Sequence, residues 1–301
     1  MTTHLARLED AVKVRLEAVF APSTRRSYGS TLRLYERFCT ENGHTPGEPL
    51  SVIAYCEYLA AQGRKMATIE RHVAALRVRY GIADDRLRLY LRGLRRTLGS
   101  AQSKKAPLTS TQLGLIKWDS GRKGLRDKAL ILVGFFAALR RSELVGLNVE
   151  DIEFVPEGAI LTIRKSKTDQ EGRGREVAIG YATRADLCPV RALQSYIATL
   201  GRNTGPLFVS LHKSQYTQKR LSAYAVALIV KDYADRLGLD PRRFGGHSLR
   251  AGFATTAALM GATEDEIALQ TGHKSMTVLR GYIRRASLFE RNAMTRIAKG
   301  L

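Results

Sequence analysis

Residues 99–109 read GSAQSKKAPLT: small, polar and basic, with Pro107 close to the end. A stretch of that kind buries little apolar surface and interrupts helical periodicity, so it separates two folding units. The chain has 301 residues, long for one core and comfortable for two. This predicts a first domain over 1–102, a linker over 103–108 and a second domain over 109–301.

The first domain reads as helical throughout. Ser23 or Thr24 is placed to cap a helix through RRSYGSTLRLYERFCTENG, with Tyr28, Leu32, Leu34, Tyr35 and Phe38 as its apolar stripe and Gly43 as its stop. Pro49 and Ser51 open a second helix, ended by Gly63. Thr68 is placed to cap a third, IERHVAALRVRY, ended by Gly81, and Asp84 and Asp85 begin a fourth. Basic side chains recur along these helices: Arg25, Arg26, Arg64, Lys65, Arg71, Arg77, Arg92, Arg95 and Arg96. An outward array of this kind suits phosphate contacts, although any one arginine alone is also what a solvated helix face carries.

The second domain is mixed. Thr109–Trp118 and Leu125–Leu139 read as helices, the latter containing the apolar run ALILVGFFAAL. Residues 151–180 alternate as strands do, in DIEFV, AILTIR and REVAIG, and the loop KSKTDQEGRG makes a hairpin of the last two. Pro189 starts another helix, LFVS at 207–210 reads as a short strand, and the chain from Ser222 reads as helical with a break at GLDPRRFGG, residues 238–246. The expected fold is mainly α with a small antiparallel β-sheet.

Charge narrows the partners. The net charge is +21, and both domains share it: residues 1–105 hold 19 Lys and Arg against 10 Asp and Glu, the remainder 30 against 18. A chain this basic attracts polyanions, with nucleic acid the first candidate and an anionic membrane surface the second. No strongly apolar amphipathic face accompanies the charge. The longest apolar run falls well short of the ~20 residues that span a bilayer, and MTTHLARLED has no secretory h-region. A cytoplasmic protein is expected. Cys39, Cys56 and Cys188 are scattered without zinc or redox spacing, so they read as small buried hydrophobes and no metal is indicated.

Four places in the second domain carry possible chemistry. In ALRRSEL the apolar helix ends abruptly in Arg140, Arg141 and Glu143. In RKSKTD, Lys165 and Lys167 lie at a strand end beside the hairpin loop. In GGHSLRAG, His247 and Arg250 stand three apart at a helix start, where free N–H groups and the helix dipole favour an anion. In QTGHKSMTVLRGYIRR, His273 follows a glycine turn, Ser275 can cap the next helix and Tyr282 lies on it. Each also has an ordinary reading alone: a solvent-seeking arginine, a charged hairpin, a surface His and Arg, a packing tyrosine.

Jointly, Arg…Lys…His-x-x-Arg…Gly-His, with Tyr nine residues on, resembles the active-site signature of the tyrosine recombinases, also called the phage integrase family. The resemblance covers residues ~105–290, and STRRSYGSTLRLYERF resembles the start of that family's helical core-binding domain. It implies a helical core-binding domain plus a mixed α/β catalytic domain of the tyrosine recombinase type. It implies Arg140, Lys167, His247, Arg250, His273 and Tyr282 as catalytic residues, with Glu143 supporting and Lys165 competing for the hairpin position. Tyr282 would be the nucleophile, leaving a 3′-phosphotyrosyl link and a free 5′-hydroxyl. Arg140, Arg250 and His273 would hold the non-bridging oxygens, His247 would be the acid/base partner, and Lys167 would protonate the leaving oxygen.

The resemblance further implies no cofactor and no metal, double-stranded DNA with an inverted-repeat core site as partner, and a tetramer on DNA. SLFERNAMTRIAKGL, with Leu288, Phe289, Met294 and Ile297, would form the C-terminal helix that docks on a neighbouring protomer. Only some twenty residues precede the first helix, which leaves no room for an arm-binding domain and points to the simple Cre- and Xer-like type. Two other readings stay open: a non-catalytic DNA-binding protein of the same fold, and a topoisomerase-like or end-resolving enzyme. The target sequence, the accessory proteins and the choice among integration, excision and resolution are not in the sequence.

Overall fold

The computed structural model describes residues 19–99, 105–164, 174–273, 276–286 and 293–298. The chain divides into two compact units, Met1–Ser103 and Lys104–Leu301.

The described part of the first unit is a bundle of four helices: α1 (Pro22–Asn42), α2 (Pro49–Ala61), α3 (Met66–Tyr80) and α4 (Asp85–Leu98). Each turns an apolar stripe inward, and Tyr35, Val52, Tyr55, Cys56, Ile69, Leu76 and Leu87 form the centre of a common core. Two helix starts differ from expectation. Neither Ser23 nor Thr24 caps α1, because Pro22 already occupies its first turn, where its fixed φ suits a helix start. Thr68 does not cap α3 either: the helix begins at Met66, whose buried side chain draws the first turn onto the core. Asp84 does cap α4, accepting from the Leu87 N–H at 2.9 Å.

The second unit is built around α6 (Gly121–Phe136), whose residues Ala129–Val133 are fully buried. Before it, α5 (Ser110–Leu113) is a single turn rather than the helix expected to Trp118. Gly114 ends it, and the chain runs on as turn and coil to α6. The sheet β1 (Ile152–Val155), β2 (Gly158–Ile163) and β3 (Arg175–Gly180) is antiparallel in that order, with Ile160 opposite Ala178. A second ribbon pairs β4 (Val209–His212) with β5 (Gln215–Arg220). The sequence reading did not anticipate β5, and it placed β4 two residues early.

The remaining helices are α7 (Arg141–Gly146), α8 (Pro189–Leu200), α9 (Ala223–Arg236), α10 (His247–Leu259), α11 (Glu264–Thr271), α12 (Met276–Ala286) and α13 (Ala293–Ala298). The end of the segment read as linker belongs to this unit. Leu108 is fully buried, and Ala106 and Leu108 donate backbone N–H groups to the carbonyls of Arg243 and Ser248. Gly252 on α10 makes that possible, since a Cβ there would meet the Leu108 carbonyl oxygen at 1.9 Å. The expected hairpin lysines Lys165 and Lys167, the Ser275 cap, and Leu288 and Phe289 lie outside the described residues.

Candidate active site

The site assembles at the end of the buried helix α6. After Phe136 the chain turns through Ala138, which takes a left-handed φ of 49° without being glycine. Such a conformation costs a β-carbon residue of order 1 kcal/mol. Here it presents the Ala138 carbonyl to Arg250, whose Nη1 donates to it at 2.9 Å. The next turn opens α7 with one half of a capping box: the Glu143 carboxylate accepts from the Arg140 backbone N–H at 3.0 Å, and also from Arg140 Nη1 at 2.6 Å. Glu143 is buried, while Arg140 keeps about a fifth of its side chain exposed.

Helix α10 brings His247 and Arg250 to the same place, one turn apart on one face. Arg250 is 1% exposed and is the largest fully buried side chain among the described residues. Its Nη2 is buried without a hydrogen-bond partner among them. A buried donor left unpaired costs roughly 1–3 kcal/mol, so its persistence marks a place for an acceptor. Opposite, α12 presents Tyr282, whose hydroxyl lies 2.7 Å from His247 Nε2. The turn between α11 and α12 supplies His273, whose Nδ1 is held at 2.7 Å by the hydroxyl of Thr271. That contact leaves Nε2 as the ring's other polar atom.

The electrostatics follow from burial and crowded cations. Burial, then Arg250 and Arg140, push His273 down to about 4. The same causes in the same order, followed by Arg141, hold His247 below its ordinary 6.5. Arg250 is pushed down to about 10, by burial first and Arg140 second. Burial raises Tyr282 above 10.0, and Arg250 opposes it. Both imidazoles are therefore neutral at pH 7. His247 can accept a proton from the phenol when its own proton sits on Nδ1. A buried, positively charged cluster with an unpaired donor and a phenol aligned on a neutral base fits an anionic electrophile such as a phosphodiester.

Sequence reasoning missed three residues of the site. Arg175, the first residue of β3, places Nη2 3.6 Å from Glu143 and donates from Nη1 to the Gln270 carbonyl at 3.3 Å. Gln270 donates its amide to the carbonyls of Phe136 at 2.8 Å and Ala178 at 3.0 Å, stitching α11 to the end of α6 and to β3. Thr271 anchors His273. The signal available was proximity in sequence: two of the three directly precede the Gly-His pair.

The nine basic residues singled out in the first unit are all exposed. Arg64 and Arg71 converge, with Arg37, Ser27, Ser30 and Thr68, on a groove of about 450 Å³ among α1, α2 and α3. Arg95 is instead engaged by Glu70. Among the described residues no group of three His, Cys, Asp or Glu could hold a metal ion, and no helix is long and apolar enough to cross a membrane.

Similarity to known proteins extends over nearly all of the chain. The profile of the Phage integrase family matches residues 112–288. An integrase/recombinase described as a xerD homolog, from Selenomonas ruminantium, is 37% identical over 307 aligned positions, covering 97% of this chain and 90% of that protein. A tyrosine recombinase XerC from Syntrophus aciditrophicus is 27% identical, covering 89% and 88%. Among solved structures, the Tn1549 transposon integrase in complex with circular intermediate DNA superposes with a TM-score of 0.65 at 17% identity, over 97% of each chain. The XerH site-specific recombinase bound to its difH substrate gives 0.62 at 16% identity, over 91% of this chain and 78% of that one.

Proposed function

This chain belongs to the phage integrase family and is a tyrosine-type site-specific DNA recombinase; from that premise we propose that Tyr282 is its nucleophile and that the residues gathered around it carry the reaction. The observation that bears most weight is the 2.7 Å contact between Tyr282 and a neutral His247, beside the buried unpaired donor of Arg250.

The steps follow from the charges. A phosphodiester entering the cavity presents its non-bridging oxygens to Arg140, Arg250 and His273. Its negative charge relieves the mutual repulsion of those groups and favours protonation of His273, which then donates. His247 takes the phenol proton as the Tyr282 oxygen attacks phosphorus and the bond to the 5′-oxygen breaks. Extra negative charge builds on the phosphorane-like transition state, where each preorganised donor is worth roughly 100–1000-fold in rate. The leaving 5′-oxygen takes a proton from the hairpin lysine, Lys167, with Lys165 as the competitor. A 3′-phosphotyrosyl link conserves the bond energy, so a second 5′-hydroxyl can reseal the strand by the reverse path without ATP.

The exposed cations of the first unit, Arg25, Arg26, Arg64, Lys65, Arg71, Arg77, Arg92, Arg95 and Arg96, would hold the DNA backbone. The solved relatives include recombinases bound to DNA, which supports this partner. The finer reading is a tetramer on two inverted-repeat core sites in the cytoplasm. In that assembly α13, with Met294 and Ile297 exposed at 68% and 63%, docks on the neighbouring protomer.

Covalent trapping tests the reading. Nicked, fragmented DNA from the source cell is mixed with wild type and with Tyr282→Phe, without metal or ATP, and denaturant-resistant adducts are sequenced. Adducts from wild type alone, enriched in one inverted repeat, are expected. Salt-sensitive DNA binding with no adduct from either protein would favour a non-catalytic DNA-binding protein of this fold.

A further inference from the structure

Arg175 stands outside the six residues assigned above, yet its guanidinium meets three parts of the site. Its Nη2 faces Glu143 at 3.6 Å, its Nη1 donates to the Gln270 carbonyl at 3.3 Å, and its side chain is only 24% exposed. It also fills the space beside Gly272: a Cβ there would meet guanidinium atoms of Arg175 at 3.1–3.3 Å. Gly272 has a φ of +62° and immediately precedes His273. One side chain thus touches the carboxylate that holds Arg140, the last turn of α11, and the turn that carries His273.

Charge balance does not explain its presence. Glu143 is one buried carboxylate, and Arg140 already satisfies it through its backbone N–H and Nη1. A second, partly buried arginine makes the cluster more positive and costs desolvation, which a hydrophobic residue on a strand would avoid. In register, Arg175 pairs with Ile163, whose side chain is buried in the core. What the guanidinium supplies that an aliphatic chain cannot is a hydrogen bond to the Gln270 carbonyl together with a positive charge 3.6 Å from the Glu143 carboxylate. Its charge faces the carboxylate oxygen Oε2, which accepts from the Arg140 backbone N–H while Oε1 accepts from Arg140 Nη1, and its own Nη1 holds the backbone at Gln270.

We propose that Arg175 is a positioning residue for strand cleavage: it clamps Glu143, and through it Arg140, while propping the Gly272–His273 turn, so that the donors of Arg140 and His273 meet one phosphate. This rests on the recombinase reading. The residue touches no reacting atom itself. Its effect therefore passes through charge stabilisation of the non-bridging oxygens.

That route can be tested with a neutral phosphate. The sequence recovered by covalent trapping is built into a nicked duplex with either a phosphodiester or a methylphosphonate at the scissile position. Single-turnover adduct formation is measured for wild type, Arg175→Met and Arg175→Lys, with thermal unfolding as a control. On the phosphodiester, Arg175→Met is expected to slow adduct formation roughly 10–100-fold, the scale of a misplacement near 1 Å, and Arg175→Lys to recover part of the loss. On the methylphosphonate the loss should shrink markedly, because less charge remains for Arg140 and His273 to stabilise. Equal losses on both substrates would assign Arg175 to folding alone and overturn the proposal, as would wild-type rates in both variants. If Arg175→Met does not fold, the same comparison is made with Arg175→Lys. No adduct from wild type on the phosphodiester would overturn the recombinase reading itself, and this inference with it.

Discussion

The cations singled out in the first unit and those of the site in the second lie in opposite surroundings. In the four-helix unit, arginines such as Arg64, Arg71 and Arg77 stand outside an apolar core. In the second unit, Arg250 is buried to 1%, Arg175 is mostly covered, and both imidazoles of the site are pushed toward neutrality. An exposed cation attracts a polyanion at a distance and is screened by salt. A buried one with an unpaired donor has already lost its water and can act strongly on a charge that forms beside it. On the proposed reading, the first arrangement would hold DNA and the second would change it.

The largest expected effect separates the two. Arg250→Met should slow adduct formation by roughly 100–1000-fold while leaving the salt dependence of DNA binding nearly unchanged. Its thermal unfolding should move little, because the variant removes a desolvated charge crowded by Arg140 and loses one hydrogen bond to Ala138. A large drop in stability with no specific loss of cleavage would erase the contrast. Smaller is Gly272→Ala, which meets both the left-handed backbone and the Arg175 guanidinium. It should destabilise by about 1–2 kcal/mol and slow cleavage, read from denaturant unfolding and adduct kinetics together.

Much of this was legible in the sequence. Alternation gave β1 to β3, proline and glycine bounded most helices of the first unit, and order along the chain singled out Arg140, His247, Arg250, His273 and Tyr282, which the structure brings together. What escaped has physical reasons. QYTQKR, the strand β5, carries no buried stripe and is held by pairing with β4 and by Arg220, which donates to the Val145 and Leu147 carbonyls. Arg175 beside a charged loop looks solvated until the fold sets it against Glu143. Thr271 reads as the last residue of a helix, and only three dimensions show its hydroxyl on His273. The strain at Ala138 has no sequence signature, since alanine gives no warning of a positive φ.

Acid should sharpen the comparison further. Burial holds His247 and His273 below the ordinary 6.5, with His273 at about 4. Between about pH 4 and 6.5 the unfolded chain therefore binds more protons, and stability falls as pH drops through that window. His72, buried against Tyr55 in the first unit, shifts the same way, so both units should loosen. Inorganic phosphate should restore α10 while sparing α3 little of the loss, as read by amide hydrogen exchange at pH 5. For the reaction, the acid limb of kcat/KM should lie below 6.5, because that parameter reports the free enzyme's base. The smallest effect belongs to the first unit: Arg71→Ala should reduce the salt slope of binding by about 1 and leave cleavage of saturating DNA unchanged.

The most direct test of the central claim is the identity of the residue that becomes attached to DNA. Adducts trapped from wild type are digested with protease and nuclease, and the nucleotide-bearing peptide is sequenced by mass spectrometry. A 3′-nucleotide on Tyr282, with a free 5′-hydroxyl on the released strand, is the predicted result. Attachment at any other residue, or a released 5′-phosphate, would contradict the assignment of this site.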